Sequence, residues 1–301
     1  MSVSPKYFLH QGPTIGAFLN SAIGIARQQL LKEAPSTTPP QVPGPRFESV
    51  SEPLPNDLLN DYVRHVGGNP GAYKKTVPAH LFPQWLFPLS QKTLKDLPYP
   101  IAKVVNGGCR LEIHGPLPRG EQLVSAAQLT ELDDNGSRAV MVQRMTSGTR
   151  ENPELITASF YPIVPLGKSS GGAKKKKESP IVPEGARELT RFKLAKNAGF
   201  EFAKLTGDIN PIHWVDAYAK ANGFRGVILH GFSTMARAIE GLNRHLLFGD
   251  VSRLKSFDAR FVRPLHLPAD VGLYIDGKGG VYVGMRPGGP AYLSGSYELR
   301  P

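Results

Sequence analysis

Apolar positions along the chain change period in the same order twice. Leu58, Leu59, Tyr62, Val63 and Val66 recur at helical spacing, with Asp57 placed as a cap and Gly67-Gly68 as the stop. A second apolar stretch, 81–94, also predicts helix, interrupted at Pro83 and Pro88. Strand-like runs follow at 102–105, 109–114, 122–132, 137–147 and 155–164, with Asp133-Asp-Asn-Gly136 as a hairpin turn. The plan then repeats, with a short strand over 188–194, a helix over 197–205 and another helical turn or two over 216–222. A long helix over 232–247 carries Phe232, Met235, Ala236, Ile239, Leu242 and Leu246 on one face. Strands at 254–262, 270–275, 281–286 and 291–299 close the chain. Helices followed by a meander of strands predict an α+β class, each half being a helix wrapped by five or six antiparallel strands.

The two halves also match in detail. Gly68-Asn-Pro70 corresponds to Ile209-Asn-Pro211, Pro78-Ala-His80 to Ile228-Leu-His230, and Gly115-Pro-Leu-Pro118 to Arg263-Pro-Leu-His266, a duplication that has diverged. The expected domains are therefore 54–166 and 183–301. Between them, 167–182 carries Ser169-Ser-Gly-Gly172 and the lysines 174–177, a linker composition. Ahead of them, 1–53 holds an amphipathic helix over 15–32 and a proline-crowded stretch over 34–55, read as a linker or surface strap. That helix has two readings, packing on the body or peripheral contact with a membrane or partner.

Composition narrows the partners. A formal charge of +11 favours acidic ligands, yet the basic residues are scattered apart from the lysine run, and no nucleic-acid-binding motif accompanies them, so no specific nucleic acid is expected. The phosphates of coenzyme A or the acidic surface of an acyl carrier protein would use the same charge. The single cysteine, Cys109, excludes an internal disulfide framework and fits a reducing compartment, and the cytoplasm is the expected location. No run of 18 or more apolar residues exists.

Candidate chemistry is concentrated in Thr206-Gly-Asp-Ile-Asn-Pro-Ile-His213, followed by Ile228-Leu-His-Gly231. A carboxylate, a carboxamide and an imidazole lie within six residues, around a bend that Gly207 and the Asn210-Pro211 step impose, so that Asp208 and His213 can face one point. An ordinary Asx-turn with a structural histidine would read the same way over those six residues alone. The first half has Gly67 or Gly68 and Ala72-Tyr73 where the second has its ionisable pair, so its own site reads as lost. Its apolar residues Leu81, Phe82, Trp85, Leu86 and Phe87 are either core or the lining of an acyl cavity. No two histidines sit at metal-ligand spacing beside a carboxylate or cysteine, and no phosphate-binding glycine loop is present, so neither metal nor cofactor is expected.

Taken together, Gly207-Asp-x-Asn-Pro-Ile-His213 and His230-Gly231 resemble the signature of the MaoC-like family of R-specific enoyl-thioester hydratases and 3-hydroxyacyl-thioester dehydratases. The resemblance covers residues 54–300 and implies a double hotdog, two halves packed like a homodimer of single-domain enzymes, as a monomer or as a homodimer of such chains. It implies reversible dehydration of a (3R)-hydroxyacyl thioester of coenzyme A or an acyl carrier protein, a step of fatty-acid or related lipid metabolism. Asp208 and His213 would hold a water between them as base and acid, the Gly231 backbone would receive the thioester oxygen, and Asn210 and His230 would support the site. A thioester hydrolase on the same fold, or an acyl-thioester-binding module without turnover, are the alternatives.

Overall fold

The computed structural model describes residues 2–20, 40–167 and 180–301. The lysines 174–177, residues 169–172, the expected helix beyond residue 20 and residues 34–39 of the strap lie outside the described residues.

Among the described residues ten strands form one antiparallel sheet. They are β1 (Arg46–Ser51), β2 (Val105–Ile113), β3 (Leu123–Asp134), β4 (Arg138–Gly148), β5 (Ile156–Pro165), β6 (Arg187–Leu194), β7 (Leu254–Phe261), β8 (Ala269–Ile275), β9 (Gly280–Gly284) and β10 (Ala291–Leu299). Their spatial order is β1-β3-β4-β5-β2-β7-β10-β9-β8-β6. Read inward from either edge the order is the same, β1-β3-β4-β5-β2 matching β6-β8-β9-β10-β7, so each half contributes a five-stranded hotdog sheet. The halves join edge to edge along β2 and β7, where Cys109 faces Ala259 and Leu111 faces Phe257. That pairing removes one free edge from each sheet.

The helices are α1 (residues 12–20), α2 (Asn56–His65), α3 (Pro83–Leu94), α4 (Ala198–Thr206), α5 (Asp216–Ala221) and α6 (Gly231–His245). Helix α3 lies on β1 and β3, and α6 on β6, β7 and β10, as the central helices of their halves. Met235, Ala236, Ile239 and Leu242 bury the apolar face of α6. Its polar face is buried as well, because the first half covers it. Glu240 takes His80 Nε2 at 2.8 Å, Asn243 Nδ2 donates to the Tyr73 hydroxyl at 2.9 Å, and that hydroxyl donates to Glu240. Hydrogen bonds from the other half offset the burial of Glu240 and of the Asn243 amide nitrogen, whereas Ser233 Oγ, Arg237 Nε and Asn243 Oδ1 on the same helix are buried without a partner.

Three expectations change. The proline-crowded segment contains β1, which pairs with β3 over six residues from Arg46–Gln128 to Ser51–Leu123. As an edge strand it leaves every second side chain exposed and the others half-buried, so it carries little apolar alternation. Asp57 is not the cap of α2; Pro55 occupies that position, and Asp57 sits in the first turn, accepting from Leu58 N and from Lys6 Nζ. The run 102–105 begins in a 3-10 turn, Ile101–Lys103, that follows Pro100, and reaches β2 only at Val105. Among the described residues no helix is long and apolar enough to cross a membrane.

Candidate active site

Helix α4 ends where Gly207 adopts φ +77° and its N–H closes on the Ala203 carbonyl at 2.8 Å. A left-handed residue at this position turns the chain out of the helix, and glycine does so without steric cost. Four residues on, Pro211 keeps Asn210 extended at ψ 120° and starts a 3-10 turn, Pro211–His213. The Asn210 side chain accepts from Ile212 N at 3.3 Å and so braces this loop. The turn brings His213 against the extended segment before α6, with Nδ1 2.8 Å from the Ile228 carbonyl.

Asp208, His213 and His230 meet here, each offering a polar atom within 4.8 Å of the others. The two imidazoles stack with ring centroids 3.6 Å apart and planes 24° apart. His230 Nε2 lies 3.0 Å from the Asp208 carbonyl and 3.8 Å from its carboxylate, so His230 braces the Asp208 segment. A carbonyl can only accept, which fixes both tautomers: His213 carries its proton on Nδ1 and keeps a lone pair on Nε2, and His230 carries its proton on Nε2. The remaining His230 nitrogen, Nδ1, is buried without a hydrogen-bond partner.

Burial sets the charge states. It pushes His213 down to about 3, with His230 beside it adding to the shift, and pushes His230 itself down to about 3. Both rings are neutral at neutral pH. Removal from water raises the half-buried Asp208 carboxyl above its usual range, a shift that His213 partly opposes. The site therefore holds a neutral imidazole with a free lone pair next to a carboxyl displaced toward its protonated form.

Gly231 opens α6, and no side chain caps that helix end, whose first N–H groups and dipole suit a developing negative charge. The glycine also has a packing reason. A Cβ there would stand 2.6 Å from the Phe261 ring of β7. Metal ligation was not expected from linear spacing, yet folding assembles one carboxylate and two imidazoles, a donor set that a divalent metal accepts.

Leu81, Phe82 and Trp85 stand apart from these groups. All three are buried in the core; Phe82 packs on Phe160 and Phe232, and Trp85 Nε1 donates to Ser147 Oγ at 3.0 Å. The residues of α3 that share a cavity with Asp208 are Pro83 and, as the sequence suggested, Phe87. With Thr14, Phe202, Thr206 and Phe232 they enclose a cavity of about 10 Å³ against Asp208. Thr14 could not be placed there from sequence, because it lies in α1, nearly two hundred residues away along the chain.

The MaoC like domain model matches residues 174–284. A probable enoyl-CoA hydratase 2 of Dictyostelium discoideum is 26% identical over 167 residues, 54% of this chain and 57% of the relative. A 3-hydroxyacyl-thioester dehydratase X of Mycobacterium tuberculosis is 36% identical over 108 residues, 36% of this chain and 34% of the relative. The match thus spans little more than half of the first relative and about a third of the second. Among solved structures, a MaoC-like dehydratase from Phytophthora capsici superposes with a TM-score of 0.67 at 21% identity, covering 85% of this chain and 95% of that one. Residues 174–284 are thus similar to the MaoC like domain, and the chain shares the double-hotdog fold of the solved MaoC-like dehydratase.

Proposed function

We propose that the chain interconverts (3R)-hydroxyacyl and trans-2-enoyl thioesters, as a hydro-lyase of fatty-acid or related lipid metabolism. The observation that carries this reading is the placement of Asp208 and His213 polar atoms within 4.8 Å of each other, a gap that one bridging water fills. In the hydration direction, His213 Nε2 takes one proton from that water as its oxygen bonds to the third carbon. The Asp208 carboxyl delivers a proton to the second carbon, and transfer of the proton from His213 to Asp208 restores both groups. Negative charge that builds on the thioester oxygen is received by the N-terminus of α6 at Gly231. The names of the hydratase and dehydratase relatives support the same reaction class.

The acyl group is carried by coenzyme A or an acyl carrier protein, whose negative charges suit a chain of net charge +11. Because β2 and β7 already pair the two halves, a single chain supplies the pseudo-dimer, and a monomer suffices. A cytoplasmic location belongs to the same proposal, since the one cysteine, Cys109, is buried and asks nothing of an oxidising compartment. Following the loss of enoyl absorbance of crotonyl-CoA tests the reaction. Asp208→Asn and His213→Ala are each expected to lower kcat by roughly 10²-fold or more with an unchanged fold. Near-normal turnover by either variant would remove the basis of the assignment.

A further inference from the structure

Residues 2–20 belong to neither repeated half, and they lie on the site. Val3 is clamped by a buried pair on α4: its N–H donates to Glu201 Oε2 at 2.6 Å, and its carbonyl accepts from Lys204 Nζ at 3.0 Å. Glu201 and Lys204 are themselves paired at 3.0 Å. The Gln11 amide donates to the Leu205 carbonyl at 2.9 Å, satisfying an acceptor in the last turn of α4. Thr14 Oγ1 donates to the Gln84 carbonyl of α3 at 2.6 Å, and Phe18 stacks on Phe87 of the same helix at 4.5 Å. The segment thus spans from the second half's α4 to the first half's α3. Even Gly207 is adapted to it, because a Cβ there would stand 2.9 Å from Thr14 Cβ.

We propose that residues 2–20 are the end wall of the acyl pocket and restrict the substrate to short acyl thioesters. The inference rests on the reading of Asp208 and His213 as the hydration site. For the third carbon to meet the water held there, carbons beyond it must run into the space bounded by Phe87, Phe202, Phe232 and Thr14. Those aromatic walls suit hydrocarbon, but at about 10 Å³ the space ends after about one water-sized group. A longer chain would have to displace Thr14, which is 1% exposed and anchored through its hydroxyl. The Glu201–Lys204 clamp on Val3 makes that displacement costly, since opening it leaves buried charges without one of their partners. The segment is therefore built into the fold as a fixed boundary, and one or two methylenes at such a boundary change selectivity by roughly 10- to 200-fold.

The test uses saturated butyryl-CoA and decanoyl-CoA, which cannot be hydrated, titrated calorimetrically into the full chain. The unaltered protein should bind butyryl-CoA at least 10-fold more tightly than decanoyl-CoA. Thr14→Ala with Phe18→Ala should narrow that ratio about 10-fold, Thr14→Ala alone should narrow it less, and Thr14→Phe should widen it. Equal or tighter binding of decanoyl-CoA by the unaltered chain overturns the wall. So does a ratio that none of the three variants moves while their melting curves match the parent. Crotonyl-CoA hydration by the unaltered chain is read separately. Its absence would defeat the hydratase reading, while the binding ratio would still decide whether residues 2–20 bound the pocket.

Discussion

The loop at 66–80 and the loop at 207–230 are two copies of one device, and only one still holds ionisable groups at the matching positions. Each contains an Asn-Pro step that starts a 3-10 turn, and in each the asparagine side chain accepts from the backbone two residues on, Asn69 from Gly71 N and Asn210 from Ile212 N. Each then returns as a strap bridged to the segment after the following strand, Thr76 to Pro118 and Ile228 to His266. The hydrogen bonds Val77 N to Leu117 O and Leu229 N to Leu265 O fix the register. In that register Gly67, Ala72 and Pro78 stand where the second half has Asp208, His213 and His230. The turn owes its shape to asparagine and proline and does not need the acid or the imidazoles, so the scaffold survived when the ionisable groups did not.

The register also corrects the pairing of His80 with His230 that the sequence motif suggests. His80 lies two residues beyond the position of His230, and its ring points to Glu240 and the Tyr62 hydroxyl, 2.8 and 3.0 Å away. It serves the contact between the halves. His80→Ala is accordingly expected to act on stability, lowering it by about 3 kcal/mol in denaturant unfolding, because a buried carboxyl and two hydroxyls lose a shared partner. A change below about 1 kcal/mol would show that the pairing contributes little and that His80 is a bystander at the contact between the halves.

How much of this was legible in the sequence follows from which contacts are local. Most strands and helices were readable to within a few residues, since their apolar periods are set by one face of one element. Strand β1 was hidden because Arg46–Ser51 is an edge with few apolar side chains, flanked by prolines. Asp208 and His213 were legible because one loop carries both. The stacking of His230 on His213, the link from His80 to Glu240 and the approach of Thr14 to Asp208 join residues 17 to nearly 200 positions apart. No period or motif encodes those distances, and they arise only when the two sheets and the N-terminal segment are packed.

Acid should act unequally on the two loops. His213 has a folded pKa of about 3, well below the 6.5 of an unperturbed imidazole, whereas its counterpart Ala72 does not titrate. Between those two values the unfolded chain binds a proton at His213 and the folded chain does not. This position's full contribution is therefore present above pH 6.5 and declines as pH falls toward 3. Its share should come to about 2 kcal/mol between pH 7 and 5. Unfolding curves of the parent and of His213→Gln over that range should differ in slope by this amount. Parallel curves would mean that the imidazole is protonated in the fold, and a base on His213 Nε2 would be lost with it.

The smallest effect separates bracing from chemistry. Removing either capping oxygen, by Asn69→Ala or Asn210→Ala, deletes one side-chain-to-backbone bond in a matching turn and should cost each half about 1 kcal/mol of stability. The two variants should nevertheless part in turnover. Loosening the first-half turn leaves Asp208 and His213 where they are, while loosening the second lets the gap between them vary and should lower kcat by about 10-fold with little change in KM. Equal kinetics from the two variants would mean that the Asn210 turn does not position the pair. The stability costs, measured on the same preparations, would then show whether either asparagine does more than close its own loop.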